Sequence, residues 1–166
     1  MPRKAVPKPP PTVIGWREII ALPELGLAEM HAKIDTGART SALHATRIVP
    51  FQRDGQDWVR FRIPRDHGHA ARTCELPLVD HREIKNTSGT PEPRYVVETL
   101  MVLGGRRWRI EVSLADRKAM RMPIILGRTA IRRHNILVDA GRSYLVPLPG
   151  PKGADRSRAP ARKDVP

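Results

Sequence analysis

The stretch whose residue types could do chemistry is residues 33–41, with Asp35 at its centre. Apolar and polar side chains alternate over residues 30–34, which predicts a half-buried strand that ends at this carboxylate. Thr36 follows with a hydroxyl that can bond locally, and Gly37 lets another backbone or a substrate approach closely. Taken alone, the pattern is more typical of a strand that ends in an Asx turn and has no catalytic role.

A second stretch, about ninety residues downstream, changes that balance. Residues 123–128 form an apolar run closed by a glycine and an arginine, and residues 129–134 then have helical character. An Asp-Thr-Gly-Ala strand end followed by Ile-Leu-Gly-Arg resembles the retropepsin-like aspartic proteases. In that family the first motif carries the catalytic Asp, and the second packs beneath it before a short helix.

The resemblance extends further in one bacterial branch, the misnamed "ATP-dependent zinc proteases". That branch includes the RimB-type peptidases, which act on glutamate tails added to a small-subunit ribosomal protein. The matching segments are residues 15–18, 32–41, 117–120 and 126–128. The resemblance covers roughly residues 13–148.

The resemblance implies an all-β fold, a small closed barrel of retropepsin type with one short helix that works as a two-fold homodimer. Proteolysis of this kind needs two carboxylates that share a proton, and the chain has a single Asp-Thr-Gly. A second copy of Asp35, from a partner subunit, would complete the pair. By the same resemblance, Thr36 supports the dyad and Gly37 contacts the substrate backbone.

The candidate substrate-binding residues surround this motif and the second one: Lys33, Ala38, Arg39, Thr40 and Arg128. Arg39 stands where viral retropepsins carry an Asp that pairs with the arginine of the second motif. Lys33 stands where they place an apolar pocket residue. A solvated strand lysine and a surface-turn arginine are the alternative interpretation. Together the cations favour side-chain carboxylates, which arginine binds through two hydrogen bonds. We therefore expect the acidic, glutamate-rich tail of a ribosomal protein as substrate.

Length and charge bound the remaining possibilities. The 166 residues predict one domain over residues 13–148, flanked by disordered basic tails at residues 1–12 and 149–166. The net charge is +13; each tail carries +3, which leaves +7 on the domain. This charge predicts a polyanionic partner, which could be nucleic acid, a ribosome surface or an acidic peptide.

Other features of composition concern location and cofactors. Cys74 is the single cysteine, so an internal disulfide is impossible and a reducing cytoplasm is the expected compartment. No apolar run approaches the length of a membrane span, and we expect no membrane partner. His-Glu-x-x-His and phosphate-binding loops are absent from the sequence, and we expect no metal and no cofactor.

The secondary-structure pattern is mostly β, with many short strands. The predicted strands are residues 13–21, 27–34, 42–51, 58–63, 73–85, 95–103, 108–114, 124–126, 136–138 and 144–148, with a loop over residues 86–93. Hairpin turns are predicted at residues 23–26, 53–57 and 104–105. The loops at residues 54–55 and 88–89 could each cover the site, and an open cleft without a flap is the third possibility.

Two other functions compete with the peptidase. The first is a non-enzymatic barrel that binds RNA or the ribosome, which the basic charge suits. The scattered cations and scarce aromatics count against it, because Trp16, Trp58 and Trp108 lie in strand-like segments where core packing is the simpler role. The second is a general endopeptidase with apolar pockets, against which Lys33 and Arg39 count.

Overall fold

The computed structural model describes residues 4–66, 68–85, 88–116 and 121–150. Over these residues the chain is mostly β, as the sequence predicts, with one short α-helix. The strands are β1 Thr12–Gly15, β2 Arg17–Leu22, β3 Leu27–Asp35, β4 Ser41–His44, β5 Thr46–Arg53, β6 Gln56–Ile63, β7 Arg72–Pro77, β8 Asp80–Lys85, β9 Pro91–Leu103, β10 Arg106–Ala115, β11 Ile124–Gly127 and β12 Ile136–Asp139. A 3-10 helix lies at Pro23–Leu25, and helix α1 spans Arg128–Ile131.

Three sheets make up this architecture. The largest has seven strands in the order β10-β4-β11-β3-β2-β9-β8, and β9 also pairs with β10. Hydrogen-bonded neighbours therefore lead from β10 through five other strands and back to β10. The other two sheets are the parallel pair β1–β12 and the antiparallel set β5-β6-β7.

The three predicted hairpins are present. Strands β2 and β3 pair around the 3-10 helix and Gly26, whose φ is 68°. Strands β5 and β6 pair around Asp54 and Gly55, and β9 and β10 pair around Gly104 and Gly105, all four with positive φ. Glycine adopts this conformation at no steric cost, which is why these short turns are readable from the sequence.

Three segments predicted as single strands each form two strands in the structure, so these predictions are wrong. The predicted strand 13–21 is divided at Trp16, and the strand 42–51 is divided at Ala45. The strand 73–85 is divided at residues 78–79, where the chain leaves the three-stranded sheet for the seven-stranded one. There Leu78 N donates to Asp57 O (2.9 Å) and Val79 N donates to Val96 O (3.0 Å), so the two residues bond to different sheets.

Three other boundaries also differ from prediction. Residues 144–148 form no strand, because Tyr144 has φ 55° and its N–H donates to Arg17 O (3.0 Å) instead of continuing a ladder. Helix α1 begins one residue earlier than predicted and ends at Ile131. The predicted loop 86–93 is shorter, since β9 begins at Pro91; residues 86–87 lie outside the described residues.

The core lies against the inner face of the large sheet. Strand β3 shows the expected alternation, with Met30, Ala32 and Ile34 buried and Lys33 exposed between them. Side chains of the neighbouring strands complete the cluster, and those that are fully buried include Ile20, Leu43, Phe61, Met101, Leu114, Ile124 and Leu126. A two-residue period of this kind places every second side chain of β3 on the opposite, outer face. Asp35 therefore shares that outer face with Lys33.

Residues 4–11 have no regular structure, although Asn135 Nδ2 donates to Pro9 O (3.0 Å). Residues 1–3 and 151–166 of the predicted tails lie outside the described residues, as does the motif segment 117–120. Among the helices of the described residues, none has the length and apolar character needed to cross a membrane.

Candidate active site

The site is built around Asp35, the last residue of β3. Its Oδ1 accepts hydrogen bonds from Gly37 N (3.1 Å) and Ala38 N (3.3 Å), and its carbonyl accepts a further bond from Ala38 N (3.1 Å). The carboxylate is thus fixed by the backbone of the turn that follows it. Asp35 is half-buried, which leaves the carboxylate accessible to a bound molecule. The Asx turn and the candidate catalytic position are the same structure here.

The turn rests on Gly127, which pairs with Asp35 in the parallel β3–β11 register. A Cβ built at Gly127 would lie 2.7 Å from Thr40 C and 2.9 Å from the carbonyl oxygens of Ala38 and Arg39. No side chain fits at that distance, so glycine is required for the loop 36–40 to lie against the end of β11. This contact explains the glycine of the second motif.

Hydrogen bonds then fasten this loop to helix α1. Arg128 N donates to Ala38 O (2.8 Å), and Thr129 donates to Arg39 O through both N (3.2 Å) and Oγ1 (2.7 Å). The Arg128 guanidinium donates to Gly37 O (3.1 Å). Although Arg128 is a candidate for substrate recognition, its side chain thus has a second task in holding the turn.

A buried serine pair supports the same region from below. Ser41 Oγ accepts from Gly127 N (3.1 Å), and Ser41 O accepts from Ser113 Oγ (3.0 Å). Ser41 and Ser113 are both buried, so these bonds are shielded from water. The beginning of β4 is thereby joined to β11 and β10 beside the catalytic candidate.

An open cleft of about 700 Å³ lies beside Asp35. The residues that line it are Asp35, Ala38, Arg39, Thr40, Ala42, Arg82, Glu83, Arg94, Ser113 and Ile125. Four of the residues predicted from the sequence therefore meet in one place. Lys33, Thr36, Gly37 and Arg128 are not part of the lining, although all four are exposed and adjoin it in sequence.

The sequence reasoning missed Arg82, Glu83 and Arg94, which the β8–β9 hairpin brings to the cleft. Arg82 and Arg94 are direct partners in the antiparallel register of these strands. Arg82 pairs with Asp80 (2.5 Å) and Glu111 (3.1 Å), and these carboxylates raise its pKa. A partial signal existed, because the predicted loop 86–93 joins two strand-like segments. Treating those segments as a hairpin would have placed Arg82 and Arg94 on adjacent strands, although only the observed register makes them direct partners.

The loop at residues 88–89 belongs to this hairpin, whose strands line the cleft. The loop at residues 54–55 belongs to the β5–β6 hairpin, which contributes no residue to the lining. Of the two loops considered as covers for the site, the loop at residues 88–89 is therefore the one attached to the cleft wall.

Glu18 is a buried acidic residue that does not line the cleft. It is 1% exposed, and its Oε1 accepts from Gly15 N (3.1 Å) and Leu145 N (2.7 Å). Burial raises the pKa of Glu18, while the backbone donors Gly15 and Leu145 act in the opposite direction. Its role in the structure is to hold the segment after β12 against β2.

The described part of the chain contains no group of three or more His, Cys, Asp or Glu side chains arranged to hold a metal ion. Cys74 is half-buried on β7, and desolvation raises the pKa of its thiol. The charged side chains that line the cleft are Asp35, Arg39, Arg82, Glu83 and Arg94.

The fold and the site together define a retropepsin-like chain: a mostly β domain in which an Asp-Thr-Gly strand end rests on a Leu-Gly-Arg strand end. The model of the RimB-like family, described as retropepsin-like aspartic endopeptidase RimB, matches residues 13–149. The chain belongs to this family. The family resemblance predicted from the motifs is confirmed.

The chain also matches curated proteins and a solved structure. The chain is 38% identical over 143 residues to a Shewanella pealeana protein named "Probable alpha-L-glutamate ligase", covering 85% of this chain and 30% of that protein. A Parasynechococcus marenigrum protein of the same name is 42% identical over 135 residues, covering 80% of this chain and 28% of that protein. The chain thus spans less than a third of the length of these relatives. A crystal structure of a Legionella pneumophila protein of unknown function matches with TM-score 0.70 and 30% identity, covering 81% of this chain and 97% of that one.

Proposed function

We propose that the protein is a homodimeric aspartic endopeptidase that shortens glutamate-rich tails in the cytoplasm, with a tail added to a ribosomal protein as substrate. The observation that carries this proposal is the geometry of Asp35. Its carboxylate is held by Gly37 N and Ala38 N at the end of β3, and it lines a cleft that also contains Arg39. Membership of a family described as aspartic endopeptidase supports the reaction class.

The reaction needs a second carboxylate, which we assign to Asp35 of a partner subunit. With one proton shared between the two, the ionised carboxylate takes a proton from a water molecule. That water attacks the peptide carbonyl, which the protonated carboxyl polarises. The proton then passes to the leaving nitrogen as the C–N bond breaks. The backbone bonds from Gly37 and Ala38 keep Asp35 oriented through this sequence.

The arginine side chains that line the cleft support an acidic substrate. Arg39, Arg82 and Arg94 line the cleft together with Asp35 and Glu83. A glutamate side chain near the scissile bond would meet Arg39, which is exposed and follows the catalytic turn. The relatives named as glutamate ligases support a connection between this domain and glutamate chains, since they carry the matching region within a longer protein. The basic surface is also suited to contact with a ribosome.

One observation favours the competing RNA-binding function. Trp16 and Trp58 do not belong to the core, contrary to the expectation for the three tryptophans. Trp58 lies with Phe51 on the β5-β6-β7 sheet, and Arg53 lies over both rings. Aromatic and arginine side chains on a sheet face can stack on bases. Trp108, by contrast, packs against the core as expected.

A single set of reactions separates these functions. The protein is incubated with a peptide that carries a glutamate tail, with casein and with single-stranded RNA, alongside the Asp35→Asn variant. The proposal predicts cleavage of the glutamate-tailed peptide alone, and loss of that cleavage in Asp35→Asn. Cleavage of casein at a similar rate would favour a general endopeptidase. RNA binding without cleavage of either polypeptide would favour the non-enzymatic function.

A further inference from the structure

The cleft beside Asp35 crosses the large sheet. Its lining takes residues from six successive strands: Arg82 and Glu83 on β8, Arg94 on β9, Ser113 on β10, Ala42 on β4, Ile125 on β11 and Asp35 on β3. The registers align the middle of this path, because Ser113 pairs with Ala42 and Ala42 pairs with Ile125. Its two ends are displaced along the strands: Ser113 pairs with Val96, two residues from Arg94, and Ile125 pairs with Lys33, two residues from Asp35. Asp35 therefore lies at one end of a diagonal row, and the paired arginines Arg82 and Arg94 lie at the other.

Arg94 is the unusual member of this row. Only 5% of the residue is exposed, yet it lines the cleft, and its ion pair with Glu92 is 3.8 Å long. A buried guanidinium is costly to desolvate, and it interacts strongly with a carboxylate brought into the same low-dielectric surroundings. Arg82, which is more exposed, holds shorter ion pairs with Asp80 and Glu111.

We propose that Arg94, supported by Arg82, binds the side-chain carboxylate of a substrate residue remote from the scissile bond. The affinity of the cleft for an acidic tail then depends on the length of that tail. This inference rests on the proposed function, since it assumes that an acidic peptide occupies the cleft. It adds a second recognition point to the one at Arg39, located at the far end of the row.

The strand order limits the distance between the two points. Four strand spacings separate β9 from β3, which amounts to about 19 Å across the sheet, and the register offsets at the two ends add about 13 Å along the strands. The diagonal is therefore at most about 23 Å, which an extended peptide covers in about seven residues. Curvature of the sheet shortens the path, so the carboxylate that Arg94 binds belongs to a residue within about seven positions of the scissile bond.

The test measures binding rather than cleavage. Fluorescently labelled glutamate peptides of two to eight residues are titrated with the Asp35→Asn variant, which leaves them intact, and fluorescence anisotropy gives each Kd. We expect Kd to fall as the peptide lengthens and to level off by about seven residues. Adding Arg94→Gln should remove about tenfold to a hundredfold of that gain and leave the shortest peptides unaffected. Arg94→Lys should restore part of it, and Arg60→Gln, an exposed arginine paired with Glu75 on another sheet, should change nothing.

A double-mutant cycle locates the contact. Glutamates of the eight-residue peptide are replaced one at a time by glutamine, and each peptide is measured with and without Arg94→Gln. One position should lose its effect when Arg94 is absent. If the gain with length survives Arg94→Gln, the inference is overturned while the proposed function stands. Equal weakening at every length without rescue by lysine would mean that Arg94 is only structural, which also overturns it. If no glutamate peptide binds at any length, the acidic substrate itself is refuted, and both proposals fail.

Discussion

The contact between Gly127 and the loop 36–40 makes a prediction that does not depend on any assay of function. In Gly127→Ala the added methyl would lie 2.7–2.9 Å from backbone atoms of Ala38, Arg39 and Thr40, which cannot rotate away as a side chain can. Overpacking of this kind costs about 1–3 kcal/mol. Displacing the loop also strains its hydrogen bonds to Arg128 N and Thr129 N, which contribute about 0.5–1.5 kcal/mol each.

We therefore expect Gly127→Ala to lower the free energy of unfolding by about 2–5 kcal/mol, or the Tm by roughly 5–15 °C for a domain of this size. Urea denaturation followed by tryptophan fluorescence measures the change. The matched control is Gly150→Ala, where a Cβ meets nothing within 4 Å, and which should stay within about 0.5 kcal/mol of the wild type. Equal midpoints for the two variants would refute the reasoning. Cleavage by Gly127→Ala should also fall, although no reacting group changes.

Three further predictions concern charge. The pKa of Glu18 is raised in the folded state, so the contribution of this residue to stability falls as the pH rises above 4.5, the ordinary pKa of a glutamate. The free energy of unfolding of Glu18→Gln, relative to that of the wild type, should therefore increase between pH 4.5 and 7. Urea denaturation at the two pH values measures this difference. Arg39→Asp should weaken cleavage of a glutamate peptide at least tenfold. It should change the unfolding free energy by no more than about 0.5 kcal/mol, because the Arg39 side chain is exposed and Thr129 donates to the backbone carbonyl of Arg39, which the substitution keeps. Turnover at low substrate concentration should fall as salt rises from about 0.1 to 0.5 M, since part of the attraction is long-range.

Each of these has an outcome that contradicts it. If the stability difference between Glu18→Gln and wild type is the same at both pH values, the pKa of Glu18 does not change on folding. Arg39→Asp cleaving the glutamate peptide as well as wild type would leave the acidic preference without its first recognition point. Cleavage that does not respond to salt would show that the net charge of +13 plays no part in substrate capture.

Local patterns account for most of what the sequence predicted correctly. The strand that ends at Asp35 follows from alternation, and the hairpin at Gly104 and Gly105 follows from turn residues. Strand breaks were missed because they arise from contacts remote in sequence. One example is the bond from Tyr144 N to Arg17 O, which prevents residues 144–148 from pairing as a strand.

The same distinction applies to the site. Asp35, Ala38, Arg39 and Thr40 form one short segment, so a motif could identify them together. Arg94 and Ser113 reach the cleft only through the pairing of β9 with β10 and of β10 with β4. No local pattern distinguishes a buried cleft arginine from the many surface arginines of a chain with 30 lysine and arginine residues.

The central claim is that each active site contains Asp35 from two subunits, and subunit mixing tests it most directly. Wild-type protein is incubated with increasing amounts of Asp35→Asn until subunits have exchanged, which a fluorescence-transfer pair on the two proteins confirms. If only dimers with two intact Asp35 residues cleave, activity falls in proportion to the wild-type fraction, to about one tenth in a ninefold excess of the variant. Wild-type activity that stays constant after confirmed exchange would contradict a shared pair of carboxylates.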